Sequence, residues 1–209
     1  MAKLLYIESS PRKERSHSIH VANAFLDAYR AAHPGDTIET WDLWKETLHE
    51  FDGATIAAKY RVLEAQDPES EERLAWQQIE LIANRFKSAD KFLFSLPMWN
   101  FGIPYKLKHL IDVLAQPGMT FGYDPAKGYF GLVTGKKAAV IFARGGKYSA
   151  GSGAEAIDFQ KPYLEHMLRF MGITDFESII VEGTLYGPEA AAAAREHGLA
   201  EAKRIAAAL

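Results

Sequence analysis

Three short stretches of the chain hold residues that could do chemistry together. Ser9-Ser10-Pro11-Arg12-Lys13-Glu14-Arg15-Ser16-His17-Ser18 leads directly into an apolar helical stripe that starts at Ile19. A hydroxyl-rich loop at a helix start gathers free backbone N–H groups, the positive end of the helix dipole and several Ser hydroxyls, which together suit a phosphate. Ser16 or Ser18 could equally do no more than cap the helix. Pro97-Met98-Trp99-Asn100-Phe101-Gly102-Ile103-Pro104 is stiffened by two prolines. So short a loop cannot bury Met98, Trp99 and Phe101 on one side, so it suits a flat apolar ligand, with Asn100 adding a donor and an acceptor. A lid of aromatics over the core is the plain alternative. Ala143-Arg144-Gly145-Gly146 ends in paired glycines, which let a backbone approach a ligand closely and donate to it, or simply make a tight turn.

Each stretch needs a strand before it to hold it in place, and the pattern supplies one. Lys3–Glu8, Lys91–Leu96 and Lys137–Ala143 are nearly continuous apolar runs, as expected of strands covered on both faces. Thr37–Leu43 alternates like an edge strand, and Ser178–Val181 reads as a fifth. Helical stripes lie between them: Ile19, Ala22, Leu26 and Tyr29; Ala75, Ile79, Ile82 and Phe86; Leu107, Leu110, Ile111 and Leu114, opened by Pro104 in a tolerated first-turn position. Tyr163, Met167 and Phe170 form a face closed by Gly172, and Pro188–Leu209 is an alanine-rich terminal helix. This alternation predicts an α/β fold, a five-stranded parallel sheet with helices on both faces. Two connections, Trp44–Ser70 and Gln116–Gly135, exceed a minimal unit, and long connections of this kind are more often functional than accidental.

Composition narrows the chemistry. The 209 residues carry 24 Lys+Arg against 27 Asp+Glu, a net charge of −3, and no cysteine. Thiolate nucleophiles, disulfides and Cys-ligated metals are therefore excluded, and any redox chemistry must use a borrowed carrier. The mild charge, without a basic block, argues against nucleic acid as a partner. No stretch approaches the ~20 apolar residues of a membrane span, and the apolar run Leu4–Ile7 is too short for a secretory leader. The expectation is a cytoplasmic protein of one domain, 1–209. There is no GxGxxG and no GxxxxGK[ST] after the first strand, and no GxSxG that would make Ser9 or Ser10 a hydrolase nucleophile with His17 as its base. His20, His33, His49, His109, His166 and His197 show no ligand-like clustering, so no metal site is expected. In the strand order 2-1-3-4-5 the three loops become neighbours at the carboxyl edge of the sheet. A single ligand with a phosphate and a flat polar ring fits all three, and FMN is that ligand.

Ser9-Ser10 with Ser16-His17-Ser18, PMWNF at Pro97–Phe101, GLVTGKKA at Gly131–Ala138, ARGG at Ala143–Gly146 and YGPE at Tyr186–Glu189 together resemble the FMN-dependent NADH:quinone oxidoreductases and azoreductases. The resemblance covers essentially the whole chain. It implies a flavodoxin-like three-layer sandwich and a homodimer with one FMN per subunit and active sites at the interface. By position, it places the phosphate end on Ser10, Ser16, His17 and Ser18. The isoalloxazine falls to Pro97, Met98, Trp99, Asn100 and Phe101, and to Ala143, Arg144, Gly145 and Gly146. Asn100 would touch both ring and substrate, Phe121 would wall the slot, and Tyr129 and Phe130 would line its rim from either subunit. The family often has Gln for His17, Tyr for Trp99 and Ser for Ala143; Ala143 offers only backbone, and Trp99 a larger flat face.

The activity implied is a two-step relay. NADH or NADPH gives hydride to the flavin and leaves, and a quinone or azo compound then takes the slot and two electrons. No side chain need act as a nucleophile. The competing expectation is a flavodoxin-like electron carrier that docks proteins and turns over no small molecule. Such a carrier would be smaller and more acidic.

Overall fold

The computed structural model describes residues 1–64, 66–67 and 69–209. Five parallel strands form the sheet: β1 (Lys3–Glu8), β2 (Thr37–Asp42), β3 (Lys91–Pro97), β6 (Lys137–Ala143) and β7 (Asp175–Val181), in the spatial order β2-β1-β3-β6-β7. With the small hairpin set aside, this is the expected 2-1-3-4-5 order. The register carries Leu4 beside Ile38 and Lys91, and Pro97 beside Ala143.

Period-two alternation divides the apolar side chains between two cores. Leu5, Ile7, Phe92, Phe94, Val140 and Phe142 pack under α3 (Ser70–Lys87), α4 (Tyr105–Leu114) and α5 (Lys161–Met171). Leu4, Tyr6, Leu93 and Ile141 pack under α1 (His17–Ala32) and α6 (Pro188–Ala208). The central strands are buried along both faces because each is roofed on both sides. The edge strands β2 and β7 alternate and carry charges such as Glu39, Asp175 and Glu177, which discourage further strand pairing.

The structure adds elements that periodicity does not show. The Trp44–Ser70 connection contains α2 (Gly53–Leu63), capped by Asp52, whose side chain accepts from the Thr55 amide. Ala65 and Pro68 of that connection lie outside the described residues. The Gln116–Gly135 connection holds an antiparallel hairpin, β4 (Phe121–Asp124) and β5 (Gly128–Gly131). β7 begins three residues before the run Ser178–Val181. Pro104 is the residue before α4 and not within its first turn.

Candidate functional site

Helices of a parallel sheet run against the strands, so the loops after β1, β3 and β6 share the carboxyl edge. The first loop is drawn down to that edge by hydrogen bonds at its root. The Ser9 amide donates to the Ser95 carbonyl at 3.1 Å. Lys13, held at φ 48°, bridges Glu8 and Asp42 at 2.6 Å each. Ser16 caps α1, its hydroxyl accepting from the Ile19 amide at 3.5 Å and lying 3.1 Å from the Ser18 hydroxyl. Capping and anion binding coexist here, because the His17 and Ser18 amides have no acceptor among the described residues.

Ser9, Ser10, Ser16 and Ser18 are all buried, and the Ser9 hydroxyl finds no partner. A buried hydroxyl without a protein partner fits a loop built to hold an anion. A cleft of about 390 Å³ opens beside it, lined by Arg15, Ser16, His17, His20 and Arg195 among others. Burial, then the nearby charges of Arg195 and Arg12, hold the His17 ring below its ordinary range, so it is neutral at neutral pH.

The second loop turns sharply. Trp99 and Gly102 exchange amide hydrogen bonds of 3.0 and 2.9 Å across Asn100 and Phe101, whose φ angles are 47° and 67°. This is a two-residue turn with both central residues left-handed. Asn accepts that conformation readily; Phe does not. The turn thrusts Phe101 outward and leaves Asn100 exposed, with no side-chain hydrogen bond among the described residues. Trp99 packs in an aromatic group with Trp44 at 5.8 Å and Tyr105 at 6.1 Å. Trp44 also donates to the Ser9 carbonyl at 2.9 Å, which ties the first loop to the second. Sequence reasoning missed Trp44; its only signal is an aromatic two residues past the end of β2. A cleft of about 420 Å³ follows, lined by Trp99, Asn100, Tyr105, Lys108, Phe159 and Tyr163 among others. Phe159, also missed, is 61% exposed and donates its amide to the Phe101 carbonyl at 3.0 Å.

In the third loop the four expected residues divide. The Ala143 carbonyl accepts from the Met98 amide and the Arg144 amide donates to Val181, both at 2.8 Å, so the sheet takes these backbone groups. Arg144 turns its guanidinium inward, 2% exposed, and pairs with Asp158 at 2.9 Å. It lines a separate pocket of about 330 Å³ with Tyr148, Asp158 and Pro162 among others, and not the cleft of Trp99 and Asn100. The amides of Gly145 and Gly146 have no acceptor among the described residues. At Gly145 a Cβ would meet the end of the exposed Leu185 side chain at 2.6 Å, which would have to swing aside.

The four expected substrate residues are also divided. Asn100 is at the carboxyl edge. Phe121, Tyr129 and Phe130 are on the hairpin at the opposite edge, where the Phe121 ring packs at a tilt, 4.6 Å from Phe170 near the end of α5. α4 carries the chain away from the carboxyl edge before the hairpin forms, so one subunit cannot bring these rings to its own Asn100. Among the described residues no group of three His, Asp or Glu is placed to hold a metal ion, and no helix is long and apolar enough to cross a membrane.

A hydroxyl-rich loop with free amides beside an aromatic turn, at the switch point of a 2-1-3-4-5 sheet, is the arrangement expected of a flavodoxin-like protein. The model of the flavodoxin-like fold matches residues 2–206. An FMN-dependent NADH:quinone oxidoreductase of Desulfotalea psychrophila is 51% identical over 97% of this chain and 93% of its own length. One from Burkholderia lata is 49% identical over 99% of both. Among solved structures, an azoreductase from Bacillus anthracis superposes with a TM-score of 0.92 at 35% identity over the full length of both chains. An FMN-dependent NADH-azoreductase from the same species, in complex with FMN, gives 0.87 at 30% identity over 99% of this chain and all of that one. The chain belongs to the flavodoxin-like family of FMN-dependent NADH:quinone oxidoreductases.

Proposed function

We propose that the protein is an FMN-dependent oxidoreductase that takes hydride from NADH and reduces quinones and aromatic azo compounds. The observation that carries this reading is the meeting at one sheet edge of the unsatisfied Ser9 hydroxyl and free His17 and Ser18 amides with a strained aromatic turn and two bare glycine amides. Ser10, Ser16, His17 and Ser18 hold the phosphate. Pro97–Phe101 present one wall to the ring, while the Gly145 and Gly146 amides donate to its heteroatoms. Ala143 and Arg144 contribute as scaffold. Bound FMN supplies the two-electron hydride chemistry.

The side chains orient and enclose. Trp99 and Phe101 offer flat faces on which nicotinamide and acceptor stack in turn, and the exposed Asn100 amide can donate to either. Holding a reactant aligned in this way is worth as much as roughly 7–11 kcal/mol of barrier in the best cases. No side chain acts as nucleophile, and protons come from water. Residues 1–209 act as one FMN-binding domain in the cytoplasm. The working unit is a homodimer in which the Phe121, Tyr129 and Phe130 hairpin of a second copy lines the slot. This accounts for half-exposed aromatics at the edge remote from Asn100. The electron-carrier alternative has less support, since the relatives are named as enzymes. Reconstitution tests the reading: protein that gains no flavin spectrum with added FMN, or that holds FMN and reduces no simple quinone with NADH, would end it.

A further inference from the structure

Arg144 is a buried charge that the reading above leaves without a task. Its Nη1 lies 2.9 Å from the Asp158 carboxylate and 3.7 Å from that of Glu182. Its Nε and Nη2 are buried without acceptors, and so is the whole side-chain amide of Gln160 nearby. Such an arrangement is a poor way to gain stability. A buried ion pair roughly breaks even against apolar residues of the same volume, and orphaned donors make it worse. Its geometry has another consequence. The second Asp158 oxygen accepts from the Gln160 and Lys161 amides at 3.0 and 3.1 Å, which fixes the start of α5. Phe159 lies between these anchors, and its amide bonds to the Phe101 carbonyl. Glu182 accepts from the Tyr148 and Ser149 amides, so Arg144 faces the carboxylates that hold both ends of the 147–158 excursion.

We propose that Arg144 is a positioning residue: its buried pair with Asp158 seats the 158–160 corner against the 99–102 turn and fixes Phe159 as a wall of the acceptor cleft. This rests on the quinone-reductase reading for the identity of the occupant. The pair thus tunes acceptor affinity without touching acceptor or cofactor. It also gives a reason for a charged residue at a place where an apolar one would pack at lower cost.

A double-mutant cycle on the FMN-loaded protein tests this. The readout is the dissociation constant of a simple benzoquinone, measured by quenching of flavin fluorescence, with FMN content recorded alongside. Asp158→Ala should weaken quinone binding about fivefold at unchanged FMN content, Asp158→Asn less, and Asp158→Ala in a Phe159→Ala background not at all. If Asp158→Ala does not accumulate as folded protein, Asp158→Asn carries the same cycle, since it keeps an acceptor for the two α5 amides. Multiplicative losses in the double variant, or lost FMN with unchanged quinone affinity, overturn the proposal. Wild-type protein that binds quinone but does not turn it over refutes the enzymatic reading, while the cycle still decides the role of the pair.

Discussion

A phenylalanine at φ 67° pays for its position, since a side chain with a Cβ in the left-handed region costs roughly 1–2 kcal/mol. The neighbouring Asn100 tolerates the same region through its short polar side chain. The strained turn holds the Phe101 ring outward at the candidate flavin site. Phe101→Val, β-branched and worse suited to positive φ, should therefore unfold more easily than Phe101→Gly by about 1 kcal/mol or more, although valine keeps more apolar surface. Denaturant melts of the two variants compare them directly, and equal midpoints would remove strain from the account. At the phosphate loop, Ser16→Ala and Ser18→Ala should weaken FMN more than riboflavin, by on the order of 1 kcal/mol per lost hydrogen bond. Riboflavin is the control because Ser16 also caps α1, and loss of the cap affects both ligands alike. Equal losses for the two flavins would move the phosphate elsewhere.

At the scale of elements, the hairpin is the part most sensitive to a single atom. A Cβ on Gly131 would collide with the backbone of Met171 and Gly172, which cannot yield as a side chain could. Gly131→Ala should unseat the hairpin from α5 and cost more than about 2 kcal/mol, while the phosphate loop still binds FMN. Thermal melting alongside flavin titration reads both effects. At the start of β1, Asp36 accepts from the Ala2 amide at 2.6 Å, the Tyr29 hydroxyl at 2.7 Å and Lys91 at 3.2 Å. These partners, the Ala2 amide first, hold its carboxyl well below the usual range. A depressed carboxylate stabilises the fold fully above its unfolded pKa of 3.8, and that contribution is lost as pH falls from there toward the folded value. Asp36→Asn should therefore lower stability at neutral pH and flatten its loss below about pH 4; an unchanged acid slope would contradict this. The sequence shows these elements unevenly, for physical reasons. β1 and β6 are legible to the residue because strands covered on both faces are unbroken apolar runs. α2 buries only Thr55 and Ala58, so it has no stripe to find. The hairpin strands are four residues each and half exposed, too short to show alternation. The Arg144–Asp158 pair joins residues whose contact only the closed fold creates. The three loops were legible as chemistry because strand order brings them together. That Arg144 is buried against Asp158 was not.

At the scale of the whole molecule, the absence of cysteine requires a borrowed carrier, and the sheet's switch point offers a place to hold it. The cradle, the aromatic turn and the glycine amides lie on one edge, and the half-exposed hairpin aromatics lie on the other. In the proposed homodimer the hairpin of a second copy would complete the slot that one chain leaves open. The central claim is that one site serves donor and acceptor in turn. Rapid anaerobic mixing of FMN-loaded protein with NADH, followed by a simple quinone, tests it most directly. NADH alone should bleach the bound flavin in one phase, and quinone added after the nicotinamide has left should restore it fully, with one quinone reduced per flavin. Flavin that stays oxidised with NADH, or that is reoxidised by quinone only while nicotinamide remains bound, would contradict the account.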